Sequence, residues 1–317
     1  MIIYVFLFQM LSIRIDFHRR FLTMTQNCGR ICFDAEERRH LHSNLNLQPI
    51  DVMKIKNEFK AYGNGKVNFK TVDNVGIITL NHPERKNAIS GKMMSEMYEL
   101  LQSLKSRQDI KGLILTGQGD IFCAGGDLQT ISVHLNHPQK GWEMTCLMHE
   151  TLKIFHELPM LSVSLVNGRA LGGGAELTLA TDLRIFAENS GKLTFVQAKM
   201  GLIPGWGGAT RLRNLVGNRA KALEILLSCR TITSTEAMNL GLCDKIISDG
   251  NNPEHKLEQS LNWLEFLIKH DPKVISAMKQ AVTNDNDEEL FENERKLFAP
   301  LWAGPANRKA LKENLKH

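Results

Sequence analysis

Leu161-Ser162-Val163-Ser164-Leu165-Val166-Asn167-Gly168-Arg169-Ala170-Leu171-Gly172-Gly173-Gly174-Ala175-Glu176 reads as an apolar strand that passes through a short loop into a triple glycine. Glycine lets backbone approach a ligand closely and adopt conformations closed to other residues. A helix starting at such a loop points unpaired, partly positive N–H groups at whatever sits there. Two more clusters share this character. Phe122-Cys123-Ala124-Gly125-Gly126-Asp127-Leu128 follows the buried strand KGLILTG, and Gly201-Leu202-Ile203-Pro204-Gly205-Trp206-Gly207-Gly208 lies further on. Each loop alone also reads as a tight turn. Two that converge would make an oxyanion hole, fixed donors facing a carbonyl oxygen that gains negative charge during reaction. A dinucleotide site is excluded on detail, because GxGxxG is absent and the glycines run as GG and GGG.

Outward from these loops, strands and helices alternate. VNFKTV and GIITLN are two short strands around a turn at Asp73-Asn74. Met93, Met97, Leu101 and Leu104 recur at helical spacing behind Ser90, a candidate N-cap. Such alternation predicts an α/β architecture with crossover connections. After Gly201 the pattern turns helical, through RAKALEILLSCR, NPEHKLEQSLNWLEFLIKH, PKVISAMKQAV and the stretch 287–302. The expected organisation is a poorly packed leader over residues 1–60, an α/β core over 61–257 and a helical region over 258–317.

The totals exclude several classes. With 317 residues, 43% hydrophobic and 23% charged, the chain has material for a sizeable core. A net charge of +5 is mild, and no dense Lys/Arg block interleaves with aromatics, so nucleic acid is not an expected partner. Six cysteines (Cys28, Cys32, Cys123, Cys146, Cys229, Cys243) are scattered without a CxxC pair, which predicts reduced thiols. The histidines lack ligand spacing, and no metal is expected. MIIYVFLFQMLSI is too short to span a bilayer and lacks the positive region of a signal peptide. Arg14, Arg19, Arg20 and Arg30, with only Asp16 as an acid, weakly suggest a mitochondrial leader; Met24 offers an alternative start.

Taken together, the three glycine motifs resemble the crotonase superfamily, also called the enoyl-CoA hydratase/isomerase family. The resemblance runs from about Val67 to the C-terminus. It implies a crotonase-type spiral of ββα units with a C-terminal helical region, assembled as a homotrimer or dimer of trimers. It also implies an acyl-CoA substrate, coenzyme A being part of that substrate and no separate cofactor being used. Asn81-His82-Pro83-Glu84-Arg85-Lys86-Asn87-Ala88 matches the family's first CoA-binding stretch, with backbone at Lys86, Asn87 and Ala88 on the adenine side and a basic side chain such as Arg85 on phosphate. Ala124, Gly125, Asp127 and Leu128 flank the first oxyanion donor, Gly126. Gly173 is the second donor. Asp127 itself is expected to cap the following helix.

Hydratases of the family use two glutamates. The first is matched by Glu176, but the place of the second falls on Gln197, which cannot serve as an acid or base near neutral pH. FVQAKMGLIPGWGG, ATRL and ERKLFAPLWAGPANRKAL resemble a branch that decarboxylates malonyl-type thioesters. The implied reaction is removal of the carboxylate from ethylmalonyl-CoA and, less actively, methylmalonyl-CoA, which clears wasteful carboxylation products. Losing carbon dioxide leaves an enolate without a base, so one carboxylate suffices. Glu176 is then the candidate proton donor. Trp206 lines the acyl pocket or packs its loop, Trp302 closes the site or joins the core, and Arg211 pairs with a carboxylate in the fold. The competing expectations are an enoyl-CoA hydratase/isomerase and a non-catalytic RNA- or partner-binding protein. The branch implies the cytosol and the leader implies mitochondria.

Overall fold

The computed structural model describes residues 51–250 and 253–282. In chain order the elements are α1 (Val52–Phe59), β1 (Lys66–Val72), β2 (Val75–Asn81), α2 (Gly91–Leu104), β3 (Gly112–Gly117), β4 (Ile121–Cys123), α3 (Leu128–His134), α4 (Pro138–Glu157), β5 (Leu161–Val166), β6 (Arg169–Leu171), α5 (Gly173–Thr178), β7 (Leu183–Ala187), β8 (Lys192–Thr194), α6 (Gly208–Val216), α7 (Arg219–Ser228), β9 (Thr231–Thr233), α8 (Ser234–Asn239), β10 (Lys245–Ile247), α9 (Pro253–Ile268) and α10 (Pro272–Ala281).

One sheet runs β1-β2-β3-β5-β7-β10. Its first pair is the antiparallel hairpin expected from sequence, turned at Asp73, whose φ of 51° an aspartate tolerates. The other pairings are parallel, and parallel sheets are normally covered on both faces. Alternation along the strands divides the apolar residues between the two faces. Leu113, Leu115 and Phe186 join the main core with Met93, Met97 and Leu101 of α2. Ile114, Val163, Leu165 and Ile185 turn to the other face, where Leu264 and Ile268 of α9 cover them. Ser90 caps α2 by accepting from the Met93 N–H at 3.2 Å.

A second sheet runs β4-β6-β8-β9. Its three-residue strands β4, β6 and β8 are parallel, with Cys123 beside Ala170 and Leu171 beside Thr194. Their carboxyl ends therefore lie along one edge. From that edge the chain enters Ala124-Gly125-Gly126, Gly172-Gly173-Gly174 and the stretch leading to Gln197. A parallel sheet collects loops at its carboxyl ends, which is where α/β proteins place ligands.

Three sequence expectations need correction. The leader was expected to reach residue 60, yet α1 is capped by Asp51 and buries Ile55 and Phe59, one helical turn apart, in the core. The boundary at 257/258 cuts α9, which is continuous from 253 to 268. The stretch after Gly201 is not wholly helical: β9 extends the second sheet and β10 the first. Three-residue strands are too short to show period-two alternation, so no pattern announced them. The leader up to residue 50, Cys28 and Cys32, the helix expected at 287–302 and Trp302 lie outside the described residues. The four described cysteines are unpaired.

Candidate functional site

The stretch after β2 forms a single 3-10 turn, Pro83–Arg85, followed by two consecutive non-glycine residues in the left-handed region, Lys86 (φ 54°) and Asn87 (φ 57°). Such backbone persists only where its surroundings hold it. Asn87 supplies that hold. Its Oδ1 accepts from the His82 N–H at 3.0 Å, and its Nδ2 donates to the carbonyls of Gln118 (2.9 Å) and Ile121 (2.7 Å). Asn87 and Ala88 are buried, whereas Arg85 and Lys86 are exposed, with Arg85 donating to Gln129 of α3.

This segment lies against the first glycine loop. The Ala124 N–H donates to Lys86 O (3.0 Å), Ile89 N–H to Gly125 O (2.7 Å) and Asp127 N–H to Ile89 O (2.9 Å). Ile89 thus pairs around Gly126 in parallel fashion, using the groups on either side of it. The N–H of Gly126 consequently faces away from Ile89. Asp127 caps α3 as expected, accepting from the Thr130 N–H (3.1 Å) and hydroxyl (2.5 Å). Against the pull of burial, these bonds hold its carboxyl below the ordinary range. Leu128 is 63% exposed and forms no part of a buried wall.

The second glycine loop packs directly on the first. A Cβ at Gly174 would sit 2.2 Å from the Cys123 carbonyl oxygen, and one at Gly125 would sit 3.2 Å from the Gly173 nitrogen. Only glycine permits this approach. Gly173 is the first residue of α5, and the helix's hydrogen bonding begins with Glu176 N–H to Gly172 O at 3.1 Å, so the Gly173 N–H has no intrahelical acceptor. Gly126 and Gly173 are both half-buried.

Beneath both glycines lies Trp206, 3% exposed. Its ring carbon Cζ3 is 2.4 Å from the Cβ position of Gly173, and Cζ2 is 3.8 Å from that of Gly126. Of the two roles expected for Trp206, packing fits this burial. Its backbone is held from both sides. The N–H donates to Glu176 Oε2 at 2.7 Å, and the carbonyl accepts from Arg211 Nη1 at 2.7 Å. Arg211 was expected to pair with a carboxylate; its hydrogen bond goes to this carbonyl instead, with the Glu176 charge nearby.

Glu176 is 2% exposed and accepts four hydrogen bonds. Oε2 takes the N–H groups of Trp206 and Gly208, both at 2.7 Å. Oε1 takes Gln197 Nε2 at 2.8 Å and the Gly205 N–H at 3.3 Å. Burial raises its pKa above the ordinary carboxylate value, with these donors opposing. Gln197 is 9% exposed, and its Oε1 is buried with no partner among the described residues. The place beside Glu176 thus holds an amide that can turn to offer either a donor or an acceptor.

One group of neighbours was not expected from sequence. On α4, Thr145 Oγ1 lies 3.5 Å from the Cβ position of Gly205, and the His149 ring lies near the Gly205 backbone. The only sequence signal was polar residues on a helix that also has a buried apolar face, which by itself describes any surface helix.

Residues 70–315 match the enoyl-CoA hydratase/isomerase family. The chain is 38% identical to the ethylmalonyl-CoA decarboxylase of Mus musculus, over 83% of this chain and 82% of that protein. It is also 38% identical to the ethylmalonyl-CoA decarboxylase of Homo sapiens, over 81% and 84%. Among solved structures, an enoyl-CoA hydratase from Bacillus anthracis superimposes with a TM-score of 0.73 at 25% identity, covering 79% of this chain and 96% of that one. An enoyl-CoA hydratase from Polaromonas sp. JS666 gives 0.73 at 24% identity, covering 80% and 97%.

Proposed function

The chain belongs to the enoyl-CoA hydratase/isomerase family, and from that membership we propose that it is a carboxy-lyase that removes carbon dioxide from ethylmalonyl-CoA. Methylmalonyl-CoA is the proposed secondary substrate, and clearing such carboxylated side products the proposed purpose. The observation that carries the reading is the 2.8 Å contact between Gln197 and Glu176. One carboxylate stands where two would be needed to activate water and protonate a double bond. Decarboxylation needs only one.

The thioester carbonyl accepts from the N–H groups of Gly126 and Gly173. Packing of the two loops and the free orientation of both N–H groups support this role. The bond between the α-carbon and the carboxylate breaks, carbon dioxide leaves, and its electron pair enters the enolate held by those donors. Removing one such donor typically costs about 3–4 kcal/mol of transition-state stabilisation. Glu176 then gives the α-carbon its proton. Its raised pKa favours that role, and so does Gln197, whose amide can turn its oxygen to a protonated carboxyl. The exposed Arg85 serves the phosphates of coenzyme A, and the backbone of Lys86, Asn87 and Ala88 lies beside the adenine.

We propose further that the chain forms a homotrimer or a dimer of trimers. Met200, Leu202 and Ile203, 56%, 64% and 82% exposed, are an apolar run that such an assembly would cover. The proposed compartment is the cytosol, with mitochondria as the alternative; tagged forms starting at Met1 and Met24 would decide it. The activity is tested by incubating the purified protein with ethylmalonyl-CoA, methylmalonyl-CoA and crotonyl-CoA and following masses. Butyryl-CoA formed without added metal or biotin is the expected product. Hydration of crotonyl-CoA with no decarboxylation would refute the proposal.

A further inference from the structure

Trp142, Thr145, Cys146 and His149 fall on one face of α4, at the i, i+3, i+4, i+7 spacing of a helix. Thr145 and His149 meet Gly205, so this face turns towards the loop whose indole backs Gly126 and Gly173. Trp142 sits one turn before Thr145 on the same face. Its Nε1 is buried and has no acceptor among the described residues. Buried indole N–H groups normally find a partner, because a donor left unmade away from water is costly. An acceptor supplied by a ligand would meet that need.

The rest of the face is uncharged. Burial, with Glu150 and Glu143 nearby, pushes the Cys146 thiol up to about 11, so it stays protonated at neutral pH. Burial and the Arg211 charge lower the His149 pKa, so its imidazole stays neutral there. Thr145 adds a hydroxyl. Neutrality matters to a decarboxylation. A cation gripping the carboxylate would stabilise the ground state, and that contact is lost as neutral carbon dioxide forms, which raises the barrier. A neutral donor orients the carboxylate at smaller cost.

We propose that Trp142 recognises the leaving carboxylate: its Nε1–H donates to the carboxylate of a malonyl-type thioester and so selects carboxylated acyl-CoAs over plain ones. The inference rests on the decarboxylase reading. Trp142 transfers no proton. As the carbon–carbon bond breaks, the electron pair goes to the enolate and the hydrogen bond from Nε1 is released.

The test is Trp142→Phe, which keeps the ring and removes the donor, made in the full chain. Binding of ethylmalonyl-CoA and of butyryl-CoA, which lacks the carboxylate, is measured by calorimetry beside kcat and KM. The expected result is a loss of about tenfold or more in ethylmalonyl-CoA affinity, with a matching rise in KM. Butyryl-CoA affinity stays within about twofold, and kcat is unchanged or higher, because the lost contact belongs to the ground state. Trp142→Gln, which keeps an N–H donor, retains the discrimination. Equal weakening of both ligands, no change in either, or a fall in kcat at constant KM would overturn the proposal. A wild-type protein that releases no carbon dioxide would sink the decarboxylase reading instead, and the two-ligand comparison would still judge Trp142.

Discussion

Replacing Glu176 by alanine would remove the acceptor that fixes the Gly205–Gly208 loop. The short bonds from Trp206 N–H and Gly208 N–H, both 2.7 Å, lose their partner in a buried place. At roughly 2 kcal/mol for each orphaned donor the cost is about 4 kcal/mol. Gln197 can turn its amide, and the Gly205 N–H, at 3.3 Å, starts from the weakest bond. Removing a buried charge offsets part of the loss, leaving a net destabilisation of about 3 kcal/mol. For a domain of this size that lowers Tm by roughly 6–12 °C. Glu176→Gln is milder. Its amide oxygen can keep both 2.7 Å bonds while its NH2 faces Gln197, which offers Oε1 in return. About 1 kcal/mol is expected to be lost. Activity separates the roles: if Glu176 gives the proton, Glu176→Gln forms butyryl-CoA about a hundredfold more slowly while remaining folded. Differential scanning fluorimetry and mass-resolved rates are the assays. Glu176→Ala melting within about 2 °C of wild type would refute the argument that this carboxylate holds the loop.

Gly173→Ala would drive a methyl group into the Trp206 ring, 2.4 Å away, and that indole is pinned through its backbone. A loss of about 1–3 kcal/mol is expected, and Trp206→Leu in the same chain should restore part of the melting temperature. Gln197→Glu would set a second carboxylate about 3 Å from Glu176, so the pair shares a proton and one pKa rises. A carboxyl with a raised folded pKa penalises folding as pH climbs past its unfolded value. Urea titrations should therefore show Gln197→Glu falling behind wild type above about pH 4.5 and matching it more closely below. Asp249 has the opposite sign. Although burial opposes it, hydrogen bonds from Ser190 and Asn189 hold its pKa at about 2 against 3.8. The resulting stability is present above pH 3.8 and lost as pH falls through about 2. Asp249→Asn should flatten that part of an acid-denaturation profile.

Much of the fold was readable because its signals are local. Ser90 lies ahead of an apolar helix, Asp73-Asn74 separates two β-rich runs, and Asp127 precedes a helix it then caps. The elements that escaped were those whose identity is not local. α1 mixes Val52, Met53, Ile55 and Phe59 with polar residues, and only the core that receives Ile55 and Phe59 makes it part of the packed body. β9 and β10 are three residues each, and their strand character comes from the neighbours they pair with.

The same division runs through the site. By itself the sequence determined the glycine loops, the single carboxylate Glu176 and the glutamine at 197, because these are statements about which chemistry a position can carry. Only the tertiary structure decided that Glu176 is committed to four donors, that Trp206 lies under both glycines, and that the Trp142 Nε1 is buried without an acceptor among the described residues. The physical reason is contact across sequence distance. The loops at 123–126, 172–174 and 197–208 meet because β4, β6 and β8 end on one edge of a parallel sheet, and no residue encodes that meeting alone.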